Sequence, residues 1–310
     1  MNKIIRIWNQ NRGKIIITAL VVAFFFIIIR ALNDSALKAS KERKNNVNES
    51  ILEEEMPTQS IITGEKVNVE KTKTNVNLIE DFVEKCNSND IDNAYALLSE
   101  GCKETLFPTK ERFVKDYYNI IFTENRTTNI ENYKNSTKTN TYKVTFYGDV
   151  LGTGSISSKD YYQDYITVEK ESKKLNINSL IITNEINKKV EQNGIIITIA
   201  KQKIYIDYEI YEIRVQNNTD KDICLDTRKS SKTVYATGTD NVKYTAFTNE
   251  ISSDLYQITS YGSKTYRLKF NKKYNASIAT KKVTFTDVVE DYQKYKNENT
   301  TERLKLEVAW

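Results

Sequence analysis

The rhythm of apolar and polar positions changes several times along the chain. Ile15 to Ile29 is apolar without interruption except at Thr18, and Ala31 and Leu32 extend it past Arg30. From Asn33 to Asn75 hydrophobic residues are sparse among Lys, Glu, Asn, Ser and Thr. Leu78, Ile79, Phe82, Val83 and Cys86 then recur at the spacing of one buried helical stripe. Asn77 with Glu80 makes a capped start for that helix. "NSND" turns the chain, and Asp90 caps a second helix carrying Ile91, Ala94, Tyr95, Leu97 and Leu98, with Gly101 at its left-handed exit. After Pro108, Thr109 caps a third helix, in which Phe113, Val114, Tyr117, Tyr118 and Ile121 repeat the first stripe.

Beyond that point the period falls to two. Tyr142, Val144 and Phe146 alternate with polar residues, as do Tyr162, Asp164, Ile166 and Val168, and Leu175 to Ile182 forms a third run. Helices followed by an antiparallel sheet predict an α+β unit over 76–187. From Val190 the chain reads as strands alone. Ile195, Ile197 and Ile199 alternate, then Ile204, Ile206, Tyr208 and Ile210, then Tyr211, Ile213 and Val215 in the opposite phase. "TGTDN" is a hairpin between Tyr235 and Tyr244, and Leu304, Leu306, Val308 and Trp310 put a paired strand at the C-terminus. Short strands at this spacing predict a β-sandwich over 190–310.

The apolar run at 15–32 approaches the roughly 17–25 residues that span a bilayer, and it is apolar on every face, unlike a core helix. It predicts a transmembrane anchor, with a cytoplasmic end at 1–14 and an extracytoplasmic stalk at 33–75. The competing reading is a cleaved signal peptide, although "RALNDSALKAS" offers no good A-x-A site.

Charge follows the same division. Of 46 Lys and Arg residues, five lie in the first thirty positions, which leaves 41 against 41 Asp and Glu. The exterior is neutral, without the basic footprint of a nucleic-acid binder. Histidine is absent, so Ser-His-Asp and Cys-His machinery, His metal ligands and a histidine pH switch are excluded. Cys86, Cys102 and Cys224 have neither disulfide-framework nor metal-ligand spacing and read as small apolar fillers. Gly152 and Gly154 in "GDVLGTGS" precede strand-like sequence and not a helix, so they read as a hairpin loop and not a phosphate cradle. Glu53, Glu54 and Glu55 read as a solvated charge run.

The segment "NLIEDFVEKCNSNDIDNAYALLSEGCKETLFPTKERFVKDYYNIIF", followed by strands ending in "YQDYITVEKESKKLNINSLI", resembles the nuclear transport factor 2-like superfamily in its order of elements. That resemblance implies a curved sheet wrapped around helices as a cone. It admits isomerases that use a buried Asp with Tyr donors, for which Asp116, Asp164, Tyr118 and Tyr162 are the candidates here. It also admits non-catalytic extracytoplasmic domains of Gram-positive proteins, and assembly subunits of secretion and conjugation machines. The order "YEIRVQNNTDKDICLDT…VKYTAF…YGSKTYRLKF…KKVTFTDV" resembles immunoglobulin-like, telokinin-like modules of bacterial envelope proteins.

Together these readings predict a membrane-anchored, extracytoplasmic, non-enzymatic scaffold that contacts envelope proteins or its own copies, without cofactor, metal or nucleic acid. The alternative is a tethered cone domain that binds a small apolar ligand.

Overall fold

The computed structural model describes residues 69–148, 161–228, 232–247, 256–298 and 302–310. The expected cytoplasmic end, the anchor at 15–32, most of the stalk, Glu53–Glu55 and the Gly152/Gly154 loop lie outside them. Among the described residues no helix is long and apolar enough to cross a membrane.

Helix α1 (Val69–Asn87) starts before the expected cap at Asn77. The last residues assigned to the stalk belong to it, because Val76 and Asn75 are buried and Asn75 Nδ2 donates to the Tyr142 hydroxyl at 3.1 Å. Asp90 accepts from the Asn93 backbone N–H at 3.4 Å and caps α2 (Ile91–Ala96). Gly101 is not an exit residue. It lies inside α3 (Glu100–Leu106), which Ser99 caps through a 3.0 Å bond from the Cys102 N–H. A Cβ at Gly101 would meet Thr183 Cβ at 3.1 Å, so glycine serves close packing of that helix on a strand. Thr109 caps α4 (Lys110–Phe113), which runs through a π-helical turn (Val114–Tyr118) into α5 (Asn119–Ile121).

Four antiparallel strands follow, in the order β1 (Thr127–Asn135), β2 (Thr139–Tyr147), β3 (Tyr161–Glu169) and β4 (Leu175–Asn176). Tyr142, Val144, Phe146 and Ile166 are buried in alternation on this sheet. Phe82, Phe107, Phe113, Tyr117 and Phe122 fill the space between helices and sheet, with ring centroids from 5.6 Å (Phe107–Phe113) to 6.4 Å (Phe82–Tyr117) apart.

The third expected strand run breaks in two. Asn178 and Ser179 adopt φ of 57° and 61°, and β5 (Leu180–Gln192) leaves for another sheet. There it pairs with β6 (Ile195–Tyr205), which pairs with β7 (Glu209–Asn217), which pairs with β12 (Ser263–Phe270). A second sheet has the order β10 (Lys243–Thr245), β9 (Val234–Gly238), β13 (Thr280–Val288) and β14 (Leu304–Ala309). The short pair β8 (Ile223–Cys224) and β11 (Gln257–Ile258) stands beside them. Helix α6 (Tyr292–Glu298) connects β13 to β14. Ile197, Ile213, Val215 and Leu268 from one sheet, and Val234, Val283, Phe285 and Leu306 from the other, share one buried cluster.

These features correct the expected fold class. Antiparallel strand dominates, and no nuclear transport factor 2-like cone is formed. A cone needs a long sheet curving round its helices. Here the fourth strand has two residues, and the chain then turns away through two left-handed positions. Nor is the second half a self-contained immunoglobulin-like sandwich. One strand of its two four-stranded sheets, β5, begins in the segment expected to finish the first unit and crosses the 187/190 boundary.

The sandwich also carries an acid-sensitive tie. Glu307 on β14 receives Lys305 Nζ at 2.8 Å and Lys282 Nζ, from β13, at 3.1 Å. Bonding to Lys305, then to Lys282, lowers its carboxyl from 4.5 to about 2. A depressed folded pKa stabilises above the unfolded value and loses that contribution as pH falls through the folded one. In urea titrations, Glu307→Gln is therefore expected to be less stable than wild type above pH 4.5, with the gap closing toward pH 2. A gap that stays constant over that window would show that the lysines do not stabilise the ionised form.

Candidate functional site

The four residues implied by the cone resemblance do not converge. Asp116 pairs with Arg112 at 2.8 Å, and the Tyr118 hydroxyl bonds Asn89 at 3.3 Å while its ring stacks on Phe122. Tyr162 is half-exposed beside Phe146. Asp164 is buried, and its oxygens accept from the Tyr117 hydroxyl and from the backbone N–H groups of Tyr165, Asn178 and Ser179 at 2.7–2.8 Å. Burial raises its carboxyl above the ordinary value, and these bonds work against that rise. The side chain is spent on the left-handed turn that sends β5 away. Its role is structural.

The three cysteines are free, buried thiols. Burial pushes Cys102 up to about 12 and Cys224 up to about 11, far from the thiolate range of a reactive cysteine. Among the described residues no three Cys, Asp or Glu side chains are grouped to hold a metal ion.

The strongest concentration of polar chemistry was not legible in the sequence. A bulge between Ile199 and Lys201 shifts the phase of β6. Ile195, Ile197 and Ile199 point into the core, and strict alternation would send position 201 after them. The bulge sends Gln202 instead, opposite Tyr211 on β7. The next inward position on β7 is Glu209, fully buried. Lys272, just past β12, is also buried, and its Nζ lies 2.7 Å from Glu209 Oε1 and 2.9 Å from the Ile278 carbonyl. Glu209 Oε2 accepts from the Tyr211 hydroxyl at 2.6 Å, Thr280 Oγ1 at 2.8 Å and Gln202 Nε2 at 3.1 Å. Burial, then the charge of Glu209, drives the Tyr211 phenol well above its ordinary range.

This network floors a groove of about 850 Å³. One wall is the β5 segment 181–186. The rest of its lining includes the β1–β2 turn at 136–139, the turn after β3 at 169–171, the 274–281 segment and Trp310. Lys138, Lys170, Lys272 and Lys281 balance Glu169, Glu171, Glu185 and Glu209 around it. The groove is neutral, with apolar stretches at Ile182, Ile186 and Ile278.

No family model and no curated protein matches this chain. Among solved structures, a 2.2 Å crystal structure of a conserved hypothetical protein from Bacillus anthracis covers 39% of this chain and 95% of that one. The two are 14% identical with a TM-score of 0.24, a likeness too slight to carry an argument.

Proposed function

We propose that this chain is a membrane-tethered, extracytoplasmic interaction module of a bacterial cell envelope that works by protein contact and not by catalysis. The apolar segment at 15–32 supports the tether, and the charge balance beyond it supports a protein partner over nucleic acid. The observation that carries the reading is the neutral groove between the hairpin turns of the first sheet and the mouth of the sandwich. Its walls come from segments far apart in the chain, so its shape depends on the whole fold.

A photo-crosslinker at Ala279, exposed on the groove wall, is expected to capture a discrete envelope protein, or a second copy of the chain, in intact cells. The same probe at Tyr261, 74% exposed and outside the groove wall, is the control. Equal labelling at both positions would reject the groove as the contact surface. Protease added to intact cells should digest the chain beyond residue 33; protection there would reject the extracytoplasmic placement.

A further inference from the structure

We propose that Thr280 and Gln202 join in an intramolecular ester, a self-made crosslink between the two sheets of the sandwich, with Glu209 carrying the proton. Gln202 lies on β6 in one sheet, and Thr280 opens β13 in the other. Their functional groups meet at a single atom. Thr280 Oγ1 donates to Glu209 Oε2 at 2.8 Å, and Gln202 Nε2 donates to the same oxygen at 3.1 Å. A hydroxyl bonded to a base is the arrangement that activates a threonine nucleophile. A leaving nitrogen on that same oxygen lets one carboxylate act first as base and then as acid.

The carbonyl side is prepared as well. Gln202 Oε1 accepts from Asn184 Nδ2 at 3.1 Å, a donor placed where negative charge develops during attack. Glu209 is 0%, Thr280 4% and Gln202 5% exposed, so water competes poorly with the hydroxyl. Two other nucleophiles lie nearby: the Tyr211 hydroxyl, which accepts from Gln202 Nε2 at 2.8 Å and so is engaged with the leaving nitrogen, and Lys272, whose ammonium is pinned on the opposite oxygen, Oε1, and on the Ile278 carbonyl. An ammonium has no lone pair with which to attack, whereas the threonine needs only to give its proton to the oxygen it already touches.

The step balances without any added reagent. The Thr280 hydroxyl proton passes to Glu209 Oε2 as Oγ1 forms a bond to Gln202 Cδ. Negative charge gathers on Oε1 against Asn184. The Cδ–Nε2 bond then breaks, the nitrogen takes the proton from Glu209, and ammonia leaves through the groove. The carboxylate is restored and no oxidation state changes. The product ties the two sheets of the sandwich together covalently, β6 to β13.

The test is intact mass spectrometry of the full purified chain. The expected mass is that of the sequence less one ammonia, with a protease fragment linking the peptides that contain Gln202 and Thr280. Hydroxylamine, which cleaves esters, should separate that fragment. Thr280→Val, which keeps the side-chain shape, should show the full sequence mass and a wild-type circular dichroism spectrum. A folded wild-type chain of full sequence mass overturns the proposal. A mass loss that persists in Thr280→Val, or a link that survives hydroxylamine, overturns it equally.

Discussion

Glu209→Gln is expected to lower the free energy of unfolding by about 3–5 kcal/mol, the range for leaving one partner of a buried ion pair uncompensated. Both side chains of the Glu209–Lys272 pair are at most 2% exposed, so water cannot take the place of the lost charge. The amide adds a second fault: one oxygen of the native carboxylate accepts from Tyr211, Thr280 and Gln202, and an NH₂ group there would face donors. Adding Lys272→Met to Glu209→Gln should recover much of the loss, because the stranded cation is gone. Urea unfolding of the full chain in detergent micelles, followed by tryptophan emission, provides the measurement, since Trp310 lies 5.8 Å from the Tyr211 ring. Repeating the substitution in a Thr280→Val background, where no ester can form, should still lower stability by about 3–5 kcal/mol, which separates the charge effect from any covalent one. A loss below about 1 kcal/mol, the scale of an exposed pair, would mean that the pair is hydrated.

Phe82→Ala is expected to cost about 3–5 kcal/mol through the cavity it leaves in the helical layer. Phe82 is 0% exposed and lies 6.3–6.4 Å, centroid to centroid, from Phe113, Tyr117 and Phe122. These rings come from different helical segments and cannot close over the gap without moving backbone. The damage should be greatest in the first sheet and its helices, so hydrogen exchange should accelerate in β2 and β3 more than in β13. Tyr261→Ala, at a site 74% exposed, should change stability by no more than about 0.5 kcal/mol. If the two substitutions cost the same, the aromatic cluster is not the core of this layer.

The ring cluster bears on function too. An apolar ligand in the first unit would need an open interior, and Phe107, Phe113, Tyr117 and Phe122 occupy that space. Of the two carboxylates that the cone resemblance implied, Asp116 pairs with Arg112, and Asp164 holds backbone N–H groups. Polar chemistry is concentrated instead at the mouth of the sandwich, where no motif marks it.

The amino-acid sequence alone determined what depends on near neighbours. The stripe of Ile79, Phe82, Val83 and Cys86, the caps at Asp90 and Thr109, the hairpin at Thr239–Asn241 and the final strand from Leu304 all follow from side-chain period and turn chemistry within a few residues. The opposite phase of Ile210 and Tyr211 was visible as well, although its meaning was not. Tertiary structure alone decided which sheet receives β5, because that rests on two left-handed residues held by a carboxylate fourteen and fifteen positions away. It also decided that Gln202 turns inward, since a bulge at one residue reverses the face of everything after it. The meeting of Glu209 with Lys272, 63 positions later, and with Thr280, 71 positions later, is set by how strands pair across two sheets, and no local pattern encodes that distance.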